Sequence, residues 1–202
     1  MTGKEIIQRG AEAIIYLEEG KVVKERISKG YRVPEIDRKI RKQRTKAEAK
    51  LMIRAADCGA NVPNVTLDDD FKLVMDHLKG EKVKDILNDV DNEKRADICS
   101  KMGEIIAKIH SSGIIHGDLT TSNMILVGND VYFIDFGLGK FSEKVEDQAV
   151  DLFLLNEALN STHTKFLSEC WEKIISIYSK KHTKAKEVIS RMEKIKSRRR
   201  YK

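Results

Sequence analysis

Apolar and polar positions follow a strand-like pattern over Ala13 to Leu17 and again over Lys21 to Ile27, with Gly20 in the turn between them, which predicts a β-hairpin. Pro34 then opens a long charged stretch, Glu35 to Cys58, in which Ile36, Ile40, Ala47, Leu51 and Ala55 approximate one helical stripe that Gly59 ends. Two more strands are predicted at Val62 to Leu67 and Phe71 to Asp76, around the acidic turn DDD. Beyond Gly80 the period turns helical, first briefly at Val83 to Leu87 and then over Asn92 to His110, closed by SSG. Ile114 with Ile115, MILV and VYFID read as short strands flanking loops. Residues 146–159 and 163–180 read as two closing helices, the second with Trp171, Ile174, Ile175 and Tyr178 as a packing face, and a mostly polar helix follows. Strands first and helices afterwards predict an α+β fold of two small lobes, joined by the short run Asp76 to Gly80.

Composition agrees with a buried core: 202 residues with 41% hydrophobic content suit one domain or two small lobes. No apolar run approaches the roughly 18 residues that span a bilayer, and MTGKEIIQRG lacks a secretory stretch, so a soluble, cytosolic protein is expected. Cys58, Cys99 and Cys170 are scattered singly, which predicts free thiols in a reducing compartment. The net charge of +6 is uneven. Residues 180–202 hold eleven Lys or Arg against two Glu, a net +9, so the first 179 residues carry −3. A solvated polar helix accounts for most of that run, but the terminal SRRRYK, with clustered guanidinium forks, can also grip phosphate.

The chemistry sits in HGDLTTSN, residues 116–123, followed by DFG at 135–137. Phosphoryl transfer needs a group that orients the attacking oxygen, hard oxygen ligands for magnesium and a cation on the nucleotide phosphates. HGDLTTSN fits the kinase catalytic-loop pattern at every fixed position except the Arg, replaced here by Gly117. Asp118 is then the candidate base, Asn123 five residues later offers an amide oxygen to a metal, and Asp135 adds a charged one. Upstream, Lys24 lies in a β run where a kinase aims its lysine at the α and β phosphates, with Glu48 as its best partner; Lys21 and Glu12 compete more weakly. The glycine loop is reduced to Gly10, Ala11, Glu12 and Ala13, in which the small residues still permit close backbone approach. DFG alone is a common turn, and HGD alone can be a structural turn with a buried histidine; the ordered combination carries the assignment. His116 reads as packing for the loop rather than as a proton carrier, Asp151 as an N-terminal helix residue or, preferably, a buried anchor for the loop backbone, and Met75 as packing at the back of an adenine pocket.

The same residues, HGDLTTSNMIL and YFIDFGLG, with RGAEA, YRVPEID and RTKAEAKL, resemble PRPK-type kinases, the small atypical kinase subunit of the KEOPS (EKC) complex, over essentially the whole chain. That resemblance implies a minimal bilobal kinase-like fold: an N-lobe over 1–78 with an antiparallel sheet and long helix, a reduced, mainly helical C-lobe over 79–190, and a basic tail over 191–202. It implies ATP and Mg2+ as cofactors, serine or threonine autophosphorylation in isolation, and an ATPase role supporting N6-threonylcarbamoyladenosine formation in tRNA. Lys24 and Glu48 would bind phosphate, Asp118 would be the catalytic aspartate, Asn123 and Asp135 the metal ligands, and Asp76 and Leu78 the adenine hinge through their backbones. The implied partners are the threonylcarbamoyltransferase subunit and a small regulatory subunit, with tRNA reached through Arg198, Arg199 and Arg200. Cytoplasm is the implied compartment, with the nucleus added for a eukaryotic version.

Two departures shape these expectations. Gly117 removes the arginine that receives a phosphorylated activation loop, and only thirteen residues separate Gly137 from Asp151, too few for a peptide-docking segment. A small-molecule kinase of the aminoglycoside or choline type also uses HGD, but only about 65 residues follow DFG here to build its acceptor pocket. A nucleotide-binding scaffold without turnover has no physical need for Lys24, Asp118, Asn123 and Asp135 together.

Overall fold

The structure, a computed structural model, describes residues 3–199; Arg200, Tyr201 and Lys202, the end of the basic tail, lie outside the described residues. A five-stranded antiparallel sheet of order β1-β2-β3-β5-β4 forms the first lobe from β1 (Glu5–Arg9), β2 (Ala13–Glu18), β3 (Lys21–Arg26), β4 (Val65–Leu67) and β5 (Lys72–Asp76). The predicted hairpin is β2 with β3, in a register that sets Ile15 opposite Lys24 and Ala13 opposite Arg26. Strand β1 carries no predicted element. All five of its residues are exposed, so no buried alternation marks it in the sequence.

Helix α1 (Pro34–Asp57) matches the predicted helix to within a residue, with Pro34 in its first turn and Thr45, Glu48, Leu51, Met52 and Ala55 on its buried side. Its C-terminal half reaches beyond its own lobe: Leu51, Met52 and Ala55 belong to the core cluster otherwise built by the second lobe. Strand β4 starts three residues later than predicted, after Pro63, which has no N–H to give a ladder.

The second lobe contains β6 (Glu81–Lys82), α2 (Val83–Ile86), α3 (Asn92–Ser111), β7 (Ile114–Ile115), β8 (Met124–Val127), β9 (Asp130–Phe133) and β10 (Lys140–Phe141). Helices α4 (Val145–Thr162), α5 (Leu167–Lys181) and α6 (Ala185–Arg199) complete it. Asp91 caps α3 by accepting the Lys94 N–H at 2.8 Å, and α3 packs lengthwise on α5. The expected helix over 163–180 begins instead with a 3-10 turn at Thr164–Phe166. Helix α6 lies on α4, burying Val188 and Met192, and runs through the expected lobe-to-tail junction at 190. The three cysteines are free thiols. Among the described residues no helix is long and apolar enough to cross a membrane.

Candidate active site

Between the sheet and the β8–β9 hairpin lies a cavity of about 300 Å3. Ile15, Val22 and Met75 form its sheet side, Ile125 and Ile134 its opposite side, and Asp76, His77 and Leu78 its back edge, an apolar slot with polar groups at one end. Met75 lines this slot from β5, on its sheet side. The Asp76 side chain is turned to Lys21 at 2.7 Å and Asn64 at 2.6 Å, while no protein acceptor engages the Leu78 N–H among the described residues. A shallower hollow beside it, lined by Lys84, Thr120, Ser161 and Glu157, lacks the ion cluster described next.

Lys24 sits at the polar end, 2.7 Å from Glu48 Oε1 and 2.7 Å from Asp135 Oδ1. Three distant stretches thus meet at one ammonium: β3, α1 and the turn after β9. Asp135 has φ +61°, a left-handed conformation that costs a non-glycine residue energy and aims its carboxylate at Lys24. Burial works to raise its carboxyl, but the Lys24 charge and hydrogen bond and the Gly137 N–H outweigh that, holding it below the ordinary value and ionised. Its side chain keeps 42% exposure, so part of the carboxylate faces the cleft.

The HGDLTTSN loop hangs from Asp151, a fully buried residue of α4 that accepts the His116 N–H at 2.6 Å and the Gly117 N–H at 2.8 Å. His116 is also fully buried. Its Nδ1 accepts the Asp118 N–H at 3.3 Å and its Nε2 faces the Ile134 carbonyl at 3.1 Å, which fits the neutral Nε2–H tautomer. Burial drives this imidazole below its ordinary value against the pull of Asp151, so it is a fixed strut. Asn123 donates to the Asp118 carbonyl at 2.9 Å and carboxylate at 2.8 Å, setting the carboxylate direction and leaving its own amide oxygen for a cation. Gly117 has φ +81°, and a Cβ there would lie 2.2 Å from the Leu138 carbonyl oxygen. An arginine is sterically excluded at this position as the loop is folded.

The RIO domain family matches residues 16–154. Across 97% of this chain and 96% of the other, the sequence is 43% identical to the KEOPS complex subunit Bud32 of Pyrococcus abyssi. The chain belongs to the Bud32 family. Bud32-like sequence also forms part of longer proteins: the probable bifunctional tRNA threonylcarbamoyladenosine biosynthesis proteins of Methanothermobacter thermautotrophicus and Methanocaldococcus jannaschii are 43% and 39% identical over 98% and 97% of this chain. This chain spans only 36% and 37% of their lengths. A solved structure described as the streptomycin-ATP-APH(2")-IIa ternary complex aligns with a TM-score of 0.67 at 13% identity, covering 96% of this chain and 82% of that one. At that identity it establishes the kinase-like fold alone.

Against this Bud32 background, four residues expected at the nucleotide stand apart from the cavity. Gly10 closes a tight turn by donating its N–H to the Ala13 carbonyl at 2.9 Å, and the Ala11 carbonyl accepts from Lys29. Glu12 pairs with Arg44 at 2.9 Å and Arg32 at 3.7 Å, tying the loop to α1 and to the approach to it. Ala13 is buried opposite Arg26. The sequence reading missed Arg26 altogether, a buried guanidinium 2.6 Å from Glu48 Oε2. A signal was present: Arg26 is two residues beyond Lys24, so strand alternation puts both on one face.

Proposed function

We propose that this chain binds Mg-ATP in the cleft and moves its γ-phosphoryl group, as the kinase and ATPase subunit of a KEOPS-type assembly that supports threonylcarbamoyladenosine formation in tRNA. The observation that carries the reading is the junction of Lys24 with both Glu48 and Asp135 at 2.7 Å in a cleft also lined by Asn123, which holds the Asp118 carboxylate in a fixed direction. The apolar slot suits a planar base, and the unengaged Leu78 N–H lies on the edge where a purine finds hydrogen bonds.

The donor set fits magnesium. Asp135 and Asn123 both line the cavity and offer hard oxygens, and among the described residues no group of three or more His, Cys, Asp or Glu forms a metal cage by itself. That matches an ion held partly by protein and partly by phosphate oxygens. When bound, magnesium neutralises charge on the phosphates. Lys24 binds phosphate oxygens, and Glu48 keeps it pointed into the cleft. Asp118 orients the attacking oxygen and receives its proton. Water is the proposed acceptor within the assembly, and serine or threonine hydroxyls in the isolated chain. A threonylcarbamoyltransferase subunit and a small regulatory subunit are the proposed partners, with the basic tail directed to tRNA and the cytoplasm as compartment.

The test is ATP turnover by the purified chain, alone and with the threonylcarbamoyltransferase partner and tRNA, following labelled γ-phosphate. Label released to water and stimulated by the assembly is expected. Label on a small-molecule acceptor, or no turnover in either setting, would overturn the reading.

A further inference from the structure

We propose that Arg26 is a positioning residue of the nucleotide site, a second cation on Glu48 that holds α1 in its working place without any phosphorylated segment; the inference rests on the ATP-binding reading above. Glu48 is 1% exposed and both its oxygens are taken, Oε1 by Lys24 at 2.7 Å and Oε2 by Arg26 at 2.6 Å. Lys24 is divided between two carboxylates, Glu48 Oε1 and Asp135 Oδ1, so its charge does not serve Glu48 alone. A buried carboxylate with too little opposing charge is strongly unfavourable. Arg26 pairs with no other carboxylate among the described residues and supplies the cation that Glu48 does not share.

Its surroundings show what it joins. Across the hairpin stands Ala13, whose single methyl group leaves space on the face that the buried Arg26 side chain shares. Arg26 Nη2 lies 3.3 Å from where a Cβ on Gly137 would be, against the turn that carries Asp135. The Arg26 carbonyl accepts from Arg41 Nη1 at 3.3 Å, and Arg41 also grips Asp37 at 2.7 Å, both on α1. One residue therefore bridges strand, helix and metal-aspartate turn. Stability alone is a poor reason for it, because Arg26 Nε is buried with no hydrogen-bond partner among the described residues, and a buried ion pair with an unmet donor is weaker than apolar packing.

In other kinase-like proteins an activation segment does the work of setting this helix. Here the segment from Gly137 to Asp151 is short, and Gly117 has no room for a phosphate-receiving arginine. The Arg26 contact is the fixed alternative, so the helix position does not wait for modification.

The experiment compares wild type, Arg26→Met, Arg26→Lys, Glu48→Gln and the Arg26→Met/Glu48→Gln double variant, each assembled with the threonylcarbamoyltransferase subunit. Steady-state ATP turnover is read beside the dissociation constant of ADP by calorimetry. Arg26→Met is expected to lower kcat about 10–100-fold while KM and the ADP constant move less than about threefold, the pattern of a site that still binds nucleotide but holds its reacting groups out of place. Arg26→Lys should recover kcat to within about threefold of wild type, and the double variant should be no slower than Glu48→Gln. A kcat within about threefold of wild type in Arg26→Met, or a rise in KM alone, overturns the proposal. Should Arg26→Met fail to fold, the double variant, which lacks the stranded carboxylate, decides: a kcat about tenfold below Glu48→Gln refutes it. Absence of turnover in wild type counts against the ATP reading, not against Arg26.

Discussion

Replacing Gly117 by alanine adds one methyl group where the loop has no space for it. The residue holds φ +81°, and its Cβ would lie 2.2 Å from the Leu138 oxygen and 2.6 Å from the Leu138 carbonyl carbon. The left-handed conformation costs an alanine about 1–2 kcal/mol. Relief of the contact requires a shift of about 1 Å in one of two backbones, an overpacking cost of about 1–3 kcal/mol. The sum, about 2–5 kcal/mol, is a large part of the roughly 5–15 kcal/mol that stabilises a domain. Asp118 is the next residue, and a displacement of about 1 Å there is worth about 100-fold in turnover. Gly113→Ala is the control: φ is +68°, but the nearest atom to its Cβ is the flexible Glu143 Cγ at 3.3 Å, so it carries the conformational cost with little of the contact. Urea unfolding followed through the single tryptophan, Trp171, reads the stability of both variants, and ATP turnover per folded molecule reads the loop. If Gly117→Ala unfolds at the same urea concentration as Gly113→Ala and turns over like wild type, the Leu138 carbonyl does not confine the loop and the reasoning fails.

Asp118→Asn should lower turnover about 100- to 10,000-fold with an unchanged fold, and an undiminished rate would remove Asp118 from base work; Asp135→Ala should abolish magnesium-dependent turnover. Asp151→Asn keeps the shape of the side chain but turns an amide N–H2 toward one of the two backbone N–H groups that Asp151 serves. A loss of about 3 kcal/mol in urea unfolding is expected, with a slower enzyme. Acid should weaken the fold through His182, whose imidazole is pushed down to about 4 by burial, with His110 and Lys184 adding to the effect. The unfolded chain takes up this proton near pH 6.5 and the folded chain only near pH 4, so the His182 contribution is complete above pH 6.5 and is lost as pH falls through that window. The slope from this one group is at most about 1.4 kcal/mol per pH unit, and His182→Gln should remove that share of the slope between those limits, leaving what the buried His116 and His163 contribute.

How much of this was legible in the sequence depended on how local the signal was. The β2–β3 hairpin and α3 could be read from apolar residues that the elements bury, and α1 from its span between Pro34 and Gly59, but the stripe expected on α1 held only toward its end: Leu51 and Ala55 are buried, whereas Ile36 and Ala47 are exposed and Asp37, Thr45 and Glu48 are buried in their stead. HGDLTTSN and DFG are each a short contiguous motif, whereas Asp151 could be read as a helix residue or as an anchor, and only its bonds to the His116 and Gly117 N–H groups decide for the anchor. Strand β1 was missed because an exposed edge strand has no buried face to impose alternation. Glu12, a weaker candidate for the lysine–glutamate pair and part of the reduced glycine loop, faces Arg44 and Arg32, because which way a loop carboxylate turns is set by cations far along the chain.

The sequence by itself therefore determined the order of the main elements after β1, the two-lobed kinase-like plan and the candidate residues for phosphate and metal, since these depend on local periodicity and on short motifs. Only the tertiary structure decided that Lys24 meets Glu48 and Asp135 at one point, that Gly117 is enforced by a carbonyl of a neighbouring segment, and that Arg26 takes the second oxygen of Glu48. Those are contacts between residues up to 111 positions apart, fixed by strand register and by the packing of α1 across both lobes, and no local pattern carries them.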